Sequence, residues 1–158
     1  MSIEKVRAYL KAYGKDGDIK EFEESSATVT LAAQAVGVIP ARIAKSLSFL
    51  TPEGPILVVM AGDARIDNKK YKSFFGVKAK MLSSEEALSY TGHAVGGVCP
   101  FALPENVRVY LDVSLQRFAT VFPACGSSNS AIELTCDELA SFSHAAAWID
   151  VGNGWDVT

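Results

Sequence analysis

Apolar residues recur at Ile3, Val6, Leu10 and Tyr13, with charged residues between them. That spacing predicts an amphipathic helix lying on a core, ended by Gly14. In "DIKEFEE" the apolar positions Ile19 and Phe22 alternate imperfectly, which predicts a short strand. The hydroxyls of "SSATVT" suit the start of a helix over "LAAQAVG", and Gly37 suits its end. Pro40 fits the first turn of a further short helical piece. "IAKSLSFL" predicts a strand in which Ile43, Lys45, Leu47 and Phe49 share one parity, while Ala44, Ser46, Ser48 and Leu50 share the other. "TPEGP" predicts a turn and the uninterrupted apolar run "ILVVMAG" a central strand.

The second half continues in mixed order. "DARIDNKKYKSFFG" predicts a loop leading into a helix that Gly76 closes. Ser83 and Glu86 in "SSEEALSY" have capping-box spacing, and Thr135 and Glu138 in "TCDEL" repeat it. "VRVYLDV", "FATVFPA" and "AIELT" predict strands, with "CGSSNS" as a turn between the last two. There is no internal repeat, linker or regular βαβ alternation. The expectation is therefore one domain over residues 1–158 of the α+β class, a mixed, mostly antiparallel β-sheet surrounded by helices.

Composition narrows the partners. Of 158 residues 49% are hydrophobic and 21% charged, an ordinary globular balance with enough chain for a sizeable core. The formal net charge of -3 argues against a protein that coats DNA or RNA, but leaves room for a small local contact with phosphates. Cys99, Cys125 and Cys136 are odd in number and lack CxxC spacing, which predicts reduced thiols in a cytoplasmic protein. "MSIEKVRAYLKAYG" has no apolar h-region, so no signal peptide is expected. No apolar run reaches the ~20 residues of a membrane span.

Two segments hold candidate chemistry. Lys45 interrupts an apolar run: it either snorkels to water or places an ammonium in a cleft. "YTGHAVGGVCPFALPENV" crowds Gly92, Gly96, Gly97 and Pro100 around His93, Val98 and Cys99. Its backbone N–H groups can face an oxyanion, or the glycines can serve a tight chain crossing. His93 is open between a base, a donor and a packed core residue. A Cys99/His93 nucleophile is a minor alternative. A zinc site from His93, His144 and the cysteines lacks ligand spacing, so no metal and no cofactor are expected. Asp63, Arg65 and Asp67 suit a surface ion-pair knot. Lys69, Lys70, Lys72, Lys78 and Lys80 suit a solvated face or a few phosphates. Trp148 and Trp155 in "AAAWIDVGNGWDV" suit either packing or a partner surface.

"AAQAVGV", "ARIAKSLSF", "ILVVMAGDARID", "TGHAVGGVCPF", "VYLDVSL" and "GSSNSAIEL", in that order over roughly residues 22–139, resemble the YbaK/prolyl-tRNA-synthetase-associated domain family. The resemblance implies a mixed sheet with packed helices and an aminoacyl-tRNA deacylase that hydrolyses mischarged tRNA in trans. It matches the family's critical lysine to Lys45, its glycine-rich loop to residues 92–100 and its early aromatic position to Phe22. Cysteine-removing relatives carry an acidic residue where this chain has Ala131, and Cys99 replaces the serine that often precedes the loop proline. The implied substrate is thus a small or hydroxylated amino acid, alanine, serine or threonine, with tRNAPro as a candidate carrier.

On that reading Lys45, Gly96, Gly97 and His93 form the catalytic group. Phe22, Ser26, Thr28, Ser48, Met60, Gly92, Val98 and Pro100 bind substrate. The implied partners are the aminoacyl-tRNA 3′ end and, as a further candidate, an aminoacyl-tRNA synthetase, with no membrane and no DNA. The competing reading is a non-catalytic nucleotide or aminoacyl binding module associated with a synthetase.

Overall fold

The computed structural model describes residues 2–155. Positions 156 and 157 of the tryptophan-bearing tail stretch lie outside the described residues. In chain order the elements are α1 (Ser2–Lys11), β1 (Lys20–Glu21), α2 (Val29–Val36), β2 (Ile43–Thr51), β3 (Gly54–Ala61), β4 (Arg65–Ile66), α3 (Asn68–Phe75), α4 (Ser84–Thr91), β5 (Arg108–Asp112), β6 (Thr120–Pro123), β7 (Ser130–Ala131), β8 (Leu134–Thr135), α5 (Cys136–Phe142), β9 (Ala147–Ile149) and β10 (Gly152–Asn153). Short 3₁₀ turns occupy Pro40–Arg42 and Val113–Arg117.

The helices begin and end where their sequences provide caps. Thr28 accepts from the Leu31 N–H at the start of α2, and Gly37 closes it at φ 80°. Ser83 and Thr135 each form the full capping box, with Glu86 and Glu138 returning to the backbone. These boxes satisfy donors that a helix start leaves unpaired. Ser83→Ala is expected to destabilise the protein by about 1 kcal/mol. Thermal unfolding followed by circular dichroism should show the midpoint falling by about 2–4 °C, whereas an unchanged midpoint would mean that the box does not hold α4.

A six-stranded sheet in the order β8-β6-β2-β3-β5-β9 carries the core. Its longest ladder is the antiparallel β2–β3 hairpin, running from Ala44 opposite Ala61 to Thr51 opposite Gly54. Parallel partners flank the hairpin: β6 beside β2, then β5 beside β3 and β9 beside β5. Antiparallel β1–β7 and β4–β10 pairs stand apart from this sheet. Residues Ile56 to Ala61 of β3 are buried throughout, as a strand covered on both faces requires. On one face Phe49, Tyr71, Phe75 and Tyr110 form an aromatic cluster that seats α3. Against α1, Val6 and Leu10 are fully buried in the same core.

Some predicted boundaries move. The "DIKEFEE" strand contracts to the two residues of β1, which leaves Phe22 just beyond it. "AIELT" divides into β7 and β8 because the chain turns there from the β1 ladder to the β6 ladder, with the Ile132 N–H donating to the Pro123 carbonyl. Two further strands, β9 and β10, use the tail. Among the described residues no helix is long and apolar enough to cross a membrane.

Candidate functional site

Five chain segments converge on one cavity of about 270 Å³. They are β2, the segment leading into and including the start of α2, residues 81–87 before and within α4, the loop after α4, and the stretch from β6 to β7. The "GSSNS" turn fixes the segment before α2: the Ser128 carbonyl accepts from the Ser26 N–H at 2.6 Å, and Asn129 and Phe22 exchange two bonds of 2.8 Å. Met81 reaches the cavity because residues 80–82 bridge the edge of β2, with bonds between Leu50 and Lys80 and between Leu82 and Ser48. Ser26, Thr28, Ser48, Val98, Gly96 and Lys45, all singled out in the sequence, line this space.

Lys45 sits half-buried on β2, opposite Met60 of β3. Its Nζ donates to the carbonyls of Gly62 (3.4 Å) and Ala64. An ammonium has three donors, so one remains for the cavity. Burial lowers its pKa from the ordinary lysine value; Asp63 opposes that shift and Arg65 adds to it. The snorkelling reading therefore does not hold: the charge is spent on a carbonyl cradle at the cavity wall.

The two glycines of the loop stand in different surroundings, one at the cavity and one at a chain crossing. Gly96 has φ 92° and faces the cavity; an added Cβ would stand 3.2 Å from Ala27 Cβ. Gly97 is buried at a chain crossing, where a Cβ would stand 2.8 Å from the backbone of Gly126 and Ser127. The Gly97 N–H donates to the Ala94 carbonyl at 2.9 Å, which takes it out of any oxyanion site. Among the described residues the N–H groups of Gly96 and Val98 have no protein acceptor. An oxyanion site on this loop would therefore use Gly96 and Val98, and the expectation for Gly97 is corrected to a crossing.

His93 lies outside the cavity. It is 1% exposed, and both ring nitrogens are engaged: Nε2 with the Phe101 carbonyl at 2.8 Å and Nδ1 with Ser2 Oγ. A carbonyl only accepts, so Nε2 carries the proton and Nδ1 takes the Ser2 hydroxyl. Burial lowers the His93 pKa, which agrees with a neutral ring. Cys99 Sγ lies 3.6 Å from Nε2, but that nitrogen is the protonated one and cannot act as a base. Burial also pushes the Cys99 thiol up to about 12. The thiolate that a nucleophile needs is suppressed.

Four substrate-binding expectations also fall elsewhere. Phe22 pairs with Asn129 away from the cavity. Met60 is fully buried in the core, because β3 is covered on both faces. Gly92 ends α4 at φ 80°. Pro100 lines a different cavity of about 390 Å³, beside Tyr9 and His144. The sequence reading missed Ser46 and Val95, neighbours of Lys45 and Gly96, and Met81 and Phe122, which reach the first cavity from segments remote in the chain. Ala131 lines it too, as an apolar part of this wall.

Residues 23–142 match the aminoacyl-tRNA editing domain family. YwhH of Bacillus subtilis is 58% identical over 158 residues, covering 99% of this chain and all of its own. The Enterococcus faecalis protein named "Putative Cys-tRNA(Pro)/Cys-tRNA(Cys) deacylase EbsC" is 26% identical over 131 residues, 79% of this chain and 80% of its own. A solved structure described as "a putative trans-editing enzyme for prolyl tRNA synthetase" superposes with a TM-score of 0.87 at 30% identity, covering 97% of this chain and 98% of the other. The chain belongs to the aminoacyl-tRNA editing domain family, whose members are hydrolases acting on aminoacyl-tRNA.

Proposed function

We propose that the Lys45 cavity takes the aminoacylated 3′ end of tRNAPro and hydrolyses esters of alanine, serine or threonine in trans. The observation that carries this reading is the meeting of the Lys45 ammonium and the Gly96 loop at one small cavity. Its size suits an aminoacyl group with part of the terminal ribose. Its wall combines the hydroxyls of Ser26, Thr28 and Ser48 with small apolar groups at Ala27, Ala32 and Ala131. An uncharged Ala131 supports a small or hydroxylated side chain over the cysteine in the name of EbsC.

An aminoacyl ester is already activated, so positioning contributes more than a strong nucleophile. Water attacks the ester carbonyl carbon. The carbonyl oxygen gains charge, and the free N–H groups of Gly96 and Val98 stabilise it. The remaining Lys45 donor holds the terminal phosphate or the carbonyl region. The bond to the ribose oxygen then breaks, that oxygen takes one proton of the attacking water, and the amino acid leaves as its carboxylate with the second proton released to solvent. A vicinal ribose hydroxyl of the substrate assists the proton transfer, so no protein triad is needed. Only the single-stranded end is gripped, which accords with a net charge of -3. Synthetases separate near-isosteric small side chains poorly, so a second hydrolytic site serves accuracy.

The test is a deacylation panel: tRNAPro carrying alanine, serine, threonine, cysteine or proline. Hydrolysis of the first three with proline spared supports the reading. Hydrolysis of cysteine alone would overturn the side-chain assignment, and no turnover on any ester would favour a binding module. In the same assay Cys99→Ala is expected to keep wild-type activity; loss of turnover in a folded Cys99→Ala protein would revive the thiol enzyme.

A further inference from the structure

The carbonyls that hold Lys45 Nζ belong to Gly62 and Ala64, the two neighbours of Asp63. Asp63 does not bond Lys45. Its carboxylate is gripped by Arg117, with Nη1 to Oδ2 at 3.0 Å and Nη2 to Oδ1 at 2.6 Å. A two-point guanidinium–carboxylate bond fixes orientation as well as distance. The guanidinium is itself fixed: Nε donates to the Ser114 carbonyl at 2.8 Å, and the Phe118 and Trp155 rings each lie 4.9 Å from Cζ. Ser114 closes the frame, because its Oγ accepts from the Ala61 N–H at 3.1 Å, one residue before Gly62. The Asp63 and Arg117 side chains are only 30% and 16% exposed.

We infer that Arg117, clamped by Trp155 and Phe118, is a positioning residue that holds the Gly62–Ala64 turn through Asp63 and thereby aims Lys45 into the cavity. The inference deepens the proposed deacylase reading and rests on it for its catalytic consequence. Trp155 gains a structural role that its sequence left open. The arrangement also balances charge. Asp63 and Arg65 are charged groups that act on Lys45 in opposite directions, and Arg117 is ion-paired to the Asp63 carboxylate. With Arg117 removed, an uncompensated Asp63 favours the protonated lysine. With Asp63 neutralised, Arg65 acts unopposed and the protonated lysine is disfavoured.

The test uses the whole chain with Arg117→Met, Asp63→Asn and the milder Trp155→Leu. Carbon-13 NMR of the Lys45 Cε reads the lysine titration without substrate, so its outcome is independent of whether the deacylase reading holds. Arg117→Met is expected to raise the Lys45 titration midpoint and Asp63→Asn to lower it. A role limited to stability would not produce opposite shifts. In turnover, Arg117→Met is expected to lower kcat about tenfold with KM little changed, within the range that misplacement of a reacting group costs. Trp155→Leu is expected to shift the midpoint in the same direction as Arg117→Met, by less. Unmoved midpoints in folded variants, or shifts of one sign in both Arg117→Met and Asp63→Asn, would overturn the inference. If Arg117→Met fails to fold, the pair Asp63→Asn and Trp155→Leu decides by the same criterion.

Discussion

Lys45→Ala is expected to lower kcat/KM for deacylation by about 10²–10³ with the fold intact, the loss seen when one preorganised donor at a developing charge is removed. The side chain reaches its carbonyl cradle by crossing half-buried space, and its remaining donor has no competitor for the substrate. Lys45→Arg should not rescue. A planar fork cannot enter a cradle shaped for a compact ammonium, and the charge would be held in a different place. The comparison separates geometry from charge: activity in Lys45→Arg close to wild type would show that any cation serves.

The same lysine sets a pH limit. Burial holds its pKa below the ordinary lysine value. The donating form is the protonated one, so enzyme-specific hydrolysis should persist at lower pH and decline as pH rises through the folded pKa. That limb should lie below the ~10.4 of a free lysine. Stability runs the other way: between the folded and unfolded pKa values the unfolded chain binds the extra proton. The Lys45 contribution to folding therefore improves as pH climbs across that window and is lost as pH falls through the folded pKa.

Gly62→Ala carries the second large effect. A Cβ there would stand 2.1 Å from the Pro40 carbonyl oxygen and 2.6 Å from Val29 Cγ1. The oxygen belongs to backbone at the start of the Pro40–Arg42 turn, so one chain segment must shift. The cost is expected at about 3 kcal/mol, read as a melting midpoint about 6–12 °C lower. Because the Gly62 carbonyl also holds Lys45, deacylation should fall more than the loss of folded protein explains. Gly17→Ala provides the contrast, since an added methyl there meets nothing within 4 Å. A Gly62→Ala protein with the wild-type midpoint would refute the close approach.

Much of this was legible in the sequence, and the exceptions share a cause. Helix limits followed from local chemistry: Thr28, Ser83, Thr135 and Gly37 cap within a few residues of what they satisfy. Lys45 stood out because a charge broke an apolar strand, and Gly96 because glycines clustered. The choice between Gly96 and Gly97 depended on Gly126 and Ser127, some thirty residues on, which bury one and leave the other at the cavity. His93 was misassigned because its partner Ser2 lies 91 residues away. Met60 sits in a run without alternation, so no pattern marked its facing. Arg117 and Trp155 carried no motif at all. Their relation to Lys45 exists only once β3, the 3₁₀ turn after β5 and the tail are folded together.

The central claim is that the aminoacyl end lodges between Lys45 and the Gly96 loop. Titration with a non-hydrolysable amide analogue of 3′-alanyl-adenosine, followed by nitrogen-15 amide NMR, tests it most directly. The account predicts the largest shifts at Gly96 and Val98, with matching movement of the Lys45 side-chain resonance. Shifts gathered around Tyr9 and His144 at the other cavity, with Gly96 and Lys45 unmoved, would contradict it.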